Sequence, residues 1–164
     1  LEFRRVLFRS PPASARLVRG QRFVRGLYSG GTFAYEASWL LGEALGEAVW
    51  SNAPVRKEHA LRDPSSSHGH TVVDLGADEF TRGRPHPMID HRLRNERMVR
   101  EAQDPEVAVL LLDVVLGHGS HPDPASEMVP AIRAARAAAK RRRREPAFVA
   151  FVCGTAGEIG RAHV

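Results

Sequence analysis

Apolar and polar positions change their period several times along the chain, and each change marks an element. From Phe23 to Tyr28 the residues read as a short strand, which Ser29, Gly30 and Gly31 break off. Thr32 then offers an N-cap, and Phe33, Ala37, Leu40, Leu41, Ala44 and Leu45 recur at three- and four-residue spacings, the stripe of a helix ending near Gly46. Ser51 to Pro64 is polar, and the run Ser65-Ser66-Ser67-His68-Gly69 extends it, so residues 51–69 read as a surface connection. A second strand spans His70 to Leu75, rich in Thr71, Val72 and Val73, and Gly76 closes it.

The next stretch, Ala77 to Pro87, carries Gly83, Pro85 and Pro87, which argue against regular structure. Met88, Ile89, Leu93, Met98 and Val99 then recur near the helical period up to Gln103. Val107 to Leu112 is an unbroken apolar run before Asp113, the pattern of a strand covered on both faces. A loop with Gly117, Gly119, Pro122 and Pro124 leads into the alanine-rich helix Ala125 to Arg144, and Ala147 to Cys153 is a further apolar strand ending at Gly154.

The order is therefore βαβαβαβ, with every strand running into a loop that contains glycine. That alternation predicts an α/β fold, a doubly wound parallel sheet in a three-layer αβα arrangement, as one domain without internal repeats. Ligands of such sheets sit outside the carboxyl ends of the strands. The loops at 29–32, 76–87, 117–124 and 154–157 are expected to converge on one edge.

Charge changes the picture only after the ends are inspected. The chain carries a net charge of +5, which invites a nucleic-acid partner. One DNA string that encodes residues 158–164 encodes, as its reverse complement in a shifted frame, the run ending at Ser10, and it resembles a sequencing-library adapter. Residues 1–10 and 158–164 are therefore expected to be adapter-derived, leaving 11–157 as a partial native domain truncated at the C-terminus. Setting those ends aside removes four Arg and two Glu and brings the charge to +3. The remaining basic run, Lys140-Arg141-Arg142-Arg143-Arg144, sits at a helix end, where cations complement the macrodipole, and it lacks accompanying aromatics or a second basic stripe. No nucleic-acid partner is expected. A single cysteine, Cys153, builds no disulfide framework, and no apolar run reaches the roughly 18 residues of a membrane span, so neither membrane association nor a secreted scaffold is expected. The expected location is cytoplasmic.

Three sets of residues carry candidate chemistry. Ser29-Gly30-Gly31-Thr32 joins a strand to a helix, where glycines admit close approach and free N–H groups favour an anion. The turn matches neither the Walker nor the dinucleotide fingerprint, so a purely structural tight turn stands beside the phosphate-site reading. Asp78 and Glu79 are followed by Arg82, Arg84 and His86; paired carboxylates serve acid–base or metal chemistry, but with arginines so near, ion pairing is the expected outcome. His118, between Gly117 and Gly119, is the histidine placed at a strand end, beside Asp113. The histidines lack a compact ligand spacing, and no metal is expected.

Three stretches together resemble the acyl-CoA synthetase family that includes the α subunit of succinyl-CoA ligase, and within it the FdrA branch. They are Gly26 to Ala37, Asp74 to Asp90 with its Gly-Arg-Pro-His-Pro-Met-Ile-Asp string, and Leu112 to Gly117 with His121-Pro122-Asp123-Pro124. The resemblance implies a flavodoxin-like ligase domain, preceded by a CoA-binding Rossmann domain. In that family the glycine turn starts a helix that stabilises a phosphorylated histidine, and the tyrosine of Tyr-Glu-Ala lies at the acyl substrate. The resemblance assigns those roles to Gly30, Gly31, Thr32 and Tyr35. The family's phosphohistidine follows the strand matching Ala147 to Cys153 and is not met before Gly157; for its glutamate partner, expected near Val115, only Asp113 is at hand. The resemblance further implies a small carboxylate or its acyl or carbamoyl phosphate as substrate, CoA and a nucleotide or carbamoyl phosphate in the full complex, and other enzyme subunits as partners. The FdrA branch is associated with oxamate carbamoyl transfer in allantoin catabolism, and a non-catalytic assembly subunit is the alternative.

Overall fold

The structure is a computed structural model that describes residues 17–154; the expected adapter-derived ends lie outside the described residues. Five parallel strands form one sheet: β1 (Phe23–Tyr28), β2 (Val49–Ser51), β3 (His70–Asp74), β4 (Val107–Val115) and β5 (Ala147–Cys153), in the order β2-β3-β1-β4-β5. Setting aside the three-residue β2, the order β3-β1-β4-β5 follows the flavodoxin-like winding, in which the chain builds outward from its first strand in both directions. The doubly wound α/β fold predicted from the pattern is the fold observed.

Register explains the layers. Leu27 pairs with Val73 on one side and Leu112 on the other, and these side chains join Leu110, Met98, Ala102, Met128 and Ala135 in the larger core. Leu110 comes from β4, and the other four from helix α3 (Arg92–Glu101) with its C-cap Ala102 and from helix α4 (Pro124–Arg141), which cover that face. On the opposite face α1 (Gly31–Leu45) buries Ala34 against Tyr28, Val49 and Val72. Each face of β1 is thus covered by helix, as a central parallel strand requires. No helix among the described residues is long and apolar enough to cross a membrane.

Several boundaries differ from the pattern-based expectation. α1 starts at Gly31, and its N-cap is Gly30, in extended conformation, rather than Thr32. The reason is steric: the chain leaves β1 through a turn so tight that the first helical hydrogen bond, Ala34 N–H to Gly30 O, already closes there at 3.2 Å. Val49–Ser51 becomes a strand because pairing with β3, Trp50 opposite Thr71, overrides its brevity. In the stretch expected to be irregular, Asp78–Thr81 forms one helical turn, α2, because the residues that forbid helix come only after it. His86–Asp90 turns back on itself through bonds from Ile89 and Asp90 N–H to His86 O, so α3 begins at Arg92 and not at Met88. β4 runs on to Val115, which places Asp113 inside a strand rather than in the loop after it.

Candidate functional site

The carboxyl edge of the sheet brings together the ends of β1, β3 and β4. At its centre, beside the point where the chain reverses its winding direction, Ser29 leaves β1 next to Asp113 of β4. The Ser29 N–H and Oγ–H both donate to Asp113 Oδ1, at 3.0 and 2.8 Å. Arg94 of α3 reaches in from the helical layer, donating from Nη1 to Asp113 Oδ1 at 2.6 Å, to the Asp113 carbonyl at 2.7 Å and to Ser29 Oγ at 2.8 Å. The Arg94 and Asp113 side chains are each 1% exposed. Burial pulls the Arg94 guanidinium below its ordinary value, with Asp113 opposing. Tyr28, one residue before Ser29, is pushed up by burial and by the Asp113 charge. Asp113 is therefore sealed inside a buried ion pair and shapes the Ser29 turn from behind.

In front of it stands the N-terminus of α1. The N–H groups of Gly31, Thr32 and Phe33 have no partner within the helix, as at any helix start. The first turn itself contains no acidic residue, so any negative charge at this end of the dipole comes from a neighbouring element. Gly31 and Thr32 are exposed, and Tyr35, one turn further, is half exposed.

The third wall comes from β3. Asp74, its last residue, is 8% exposed. Asn52 grips its backbone from both sides, accepting from Asp74 N–H and donating to Asp74 O, each at 2.9 Å. The Asp74 Oδ1 accepts from Gly76 N–H at 2.8 Å. Burial raises the Asp74 carboxyl above the usual range; the Gly76 bond and His86 oppose the rise, while Asp113 and Glu79 add to it. A side-chain carbon placed on Gly76 would stand 2.6 Å from the Ser29 carbonyl, 2.7 Å from His86 Nε2 and 3.1 Å from Asp74 Oδ1. Three segments therefore crowd in on Gly76 so closely that no side-chain carbon fits there.

Of the residues singled out in the sequence, Ser29, Gly30, Gly31, Thr32, His86 and Asp113 gather here. Asp78, Glu79, Arg82 and Arg84 lie on the exposed outside of α2 and the following turn. The ion pairs expected among them do not form among the described residues; Glu79 instead accepts from Asn52 Nδ2 at 2.8 Å. The two charges are better served by water and by Asn52, since exposed pairs of this kind bring little. His118 sits exposed in the Gly117–Ser120 turn. Among the described residues no group of three or more His, Cys, Asp or Glu is arranged to hold a metal ion. Pattern reading passed over Asp74, Asn52, Gly76 and Arg94. An aspartate closing a strand two residues before a glycine is a readable signal; an arginine at a buried helix position is not, because the period there reads equally well with Arg94 turned to solvent.

Fold and edge together define a doubly wound α/β domain whose ligand edge is built from a glycine turn, a helix start and a buried carboxylate. The family model that describes the CoA-ligase matches residues 27–163, and the chain belongs to that family. It is 45% identical over 141 residues to "Uncharacterized protein YahF" of Escherichia coli (strain K12). That alignment covers 86% of this chain and 27% of the relative, so the chain spans about a quarter of the relative's length.

Proposed function

We propose that the chain is the ligase-type domain of an FdrA-like acyl-CoA synthetase subunit, acting on a small carboxylate or its acyl or carbamoyl phosphate within a hetero-oligomeric enzyme. The observation that carries this reading is the start of α1: a Ser29-Gly30-Gly31-Thr32 turn at the switch point of the sheet, with N–H groups that have no partner within the helix and no acidic residue in its own first turn. An anionic oxygen bound there is stabilised by the N–H groups of Gly31, Thr32 and Phe33, and the exposed Tyr35 lies one turn away to border the acyl portion. Membership of the CoA-ligase family supports the same assignment. CoA, and a nucleotide or carbamoyl phosphate, are substrates of the whole enzyme in this reading, bound with its other domains and subunits.

A second reading, an assembly subunit that keeps the fold alone, is favoured by one observation. Asp113, the carboxylate nearest the place of the family's glutamate, is committed to Arg94 and Ser29 and shielded from any substrate. Coupled assays on the full-length protein with its neighbouring subunits separate the two. Enzyme function predicts that Thr32→Ala and Tyr35→Phe each lower turnover of a CoA thioester, or of carbamoyl phosphate as the carbamoyl donor to oxamate, by about tenfold or more. Unchanged activity of the assembled complex would leave only the structural role.

A further inference from the structure

The α1 terminus is flanked by two groups whose roles the family assignment does not supply. Asp74 is almost fully buried, yet among the described residues no ion pair forms with it, and the buried guanidinium of Arg94 is taken up by Asp113. Its Oδ1 is held by Gly76 N–H, whereas Oδ2 receives no hydrogen bond from the described residues and stands 3.1 Å from where a Gly31 side-chain carbon would lie, at the first residue of α1. His86 also closes in on Gly76. Its Nδ1 accepts from Met88 N–H at 3.3 Å, which leaves the proton of the neutral ring on Nε2, the atom that stands 2.7 Å from where a Gly76 side-chain carbon would lie.

We propose that Asp74 and His86 are the side-chain walls of the anion site at the start of α1, His86 donating a hydrogen bond from Nε2 and Asp74 supplying a second from a protonated Oδ2. This rests on the reading that α1 receives an anion, and it names the groups that complete that site. The donor set decides the ligand class. Backbone N–H groups, an imidazole N–H and a carboxylic acid O–H are all donors, and together they fit an oxyanion of phosphoryl or carboxylate type rather than a cation.

The state of Asp74 follows from what surrounds it. The Gly76 N–H bond and His86 favour its charge, while Asp113 from β4 and Glu79 from α2 oppose it, and burial opposes it most. Ionised, the carboxylate beside Gly31 repels an incoming anion; protonated, it donates to one. Asp74 therefore acts as a gate whose opening accompanies uptake of a proton with the ligand.

Sulfate, which keeps its charge across the range, and acetate are the probes for the phosphoryl and carboxylate classes, titrated into the 164-residue chain by calorimetry at about pH 8 and about pH 5. Sulfate or acetate affinity is expected to rise as the pH falls, and the probe that binds more tightly identifies the class. Asp74→Asn, close in shape, is expected to bind about tenfold more tightly at the higher pH and to lose much of the pH dependence. His86→Ala is expected to weaken binding about tenfold, and His86→Gln, which restores a donor, to recover most of it. Circular dichroism checks that each variant is folded, and the pH series on the unsubstituted chain needs no variant. Binding by the unsubstituted chain that Asp74→Asn and His86→Ala leave unaltered at both pH values would overturn this inference while leaving the α1 site in place. Absence of binding by the unsubstituted chain would overturn both.

Discussion

Arg94 and Asp113 share a buried bond of 2.6 Å, and neither side chain is solvated in the other's absence. Removing one partner strands a charge inside the core, while removing both strands none. Arg94→Met is accordingly expected to cost about 3–5 kcal/mol in urea unfolding, and the double variant Arg94→Met/Asp113→Leu to cost less than Arg94→Met alone. Additive losses in that double-mutant cycle would show that the pair is uncoupled. At this scale the site was half legible. Ser29, Gly30, Gly31 and Thr32 were readable as a strand-to-helix turn, because glycine and small polar residues between two periodic segments mark one. Asp74 and Arg94 were not, since burial of a charged side chain is a property of what packs around it.

At the scale of elements, long apolar periods translated directly into structure. β1, β5 and the body of α1 lie where the pattern placed them, because each has enough matching positions to outweigh local exceptions. Short elements did not. β2 and α2 have three and four residues, too few for a period, and exist through pairing with β3 and through the turn after it. α4 shows the converse: it contains Pro130 in its interior and still forms, capped by Asp123 Oδ1, which accepts from Ser126 N–H at 3.1 Å. Proline there lacks the N–H that would reach back one turn and crowds the carbonyl it should have bonded. Pro130 is exposed, so its replacement leaves no cavity. Pro130→Ala is therefore expected to stabilise the fold by about 1–3 kcal/mol, read as a higher Tm in thermal unfolding. An unchanged or lowered Tm would mean that α4 accommodates the proline without cost.

For the whole molecule, the distribution of covered surface is uneven. The β3 and β1 side of the sheet is sandwiched by helices, whereas β5 leaves Val149, Phe151 and Val152 at 40–52% exposed. Phe151 makes an edge contact with Phe33 at 5.3 Å between ring centroids and is otherwise open on that face. An apolar edge strand is a template for association. Phe151→Lys is expected to reduce concentration-dependent association of this chain in light scattering, with little change in its circular dichroism. Equal scattering by both forms would show that the edge is protected.

Hydrophobic period and glycine punctuation by themselves determined that the chain alternates strand and helix, that its sheet is parallel, and that glycine turns would lie on one edge, because these follow from local geometry repeated along the chain. Only the tertiary structure decided which charges are buried, which partner each one takes, and that Asp74 and His86 both close in on Gly76. Those outcomes depend on the register between strands distant in sequence and on the close approach that Gly76 allows, and neither is a property of any single segment.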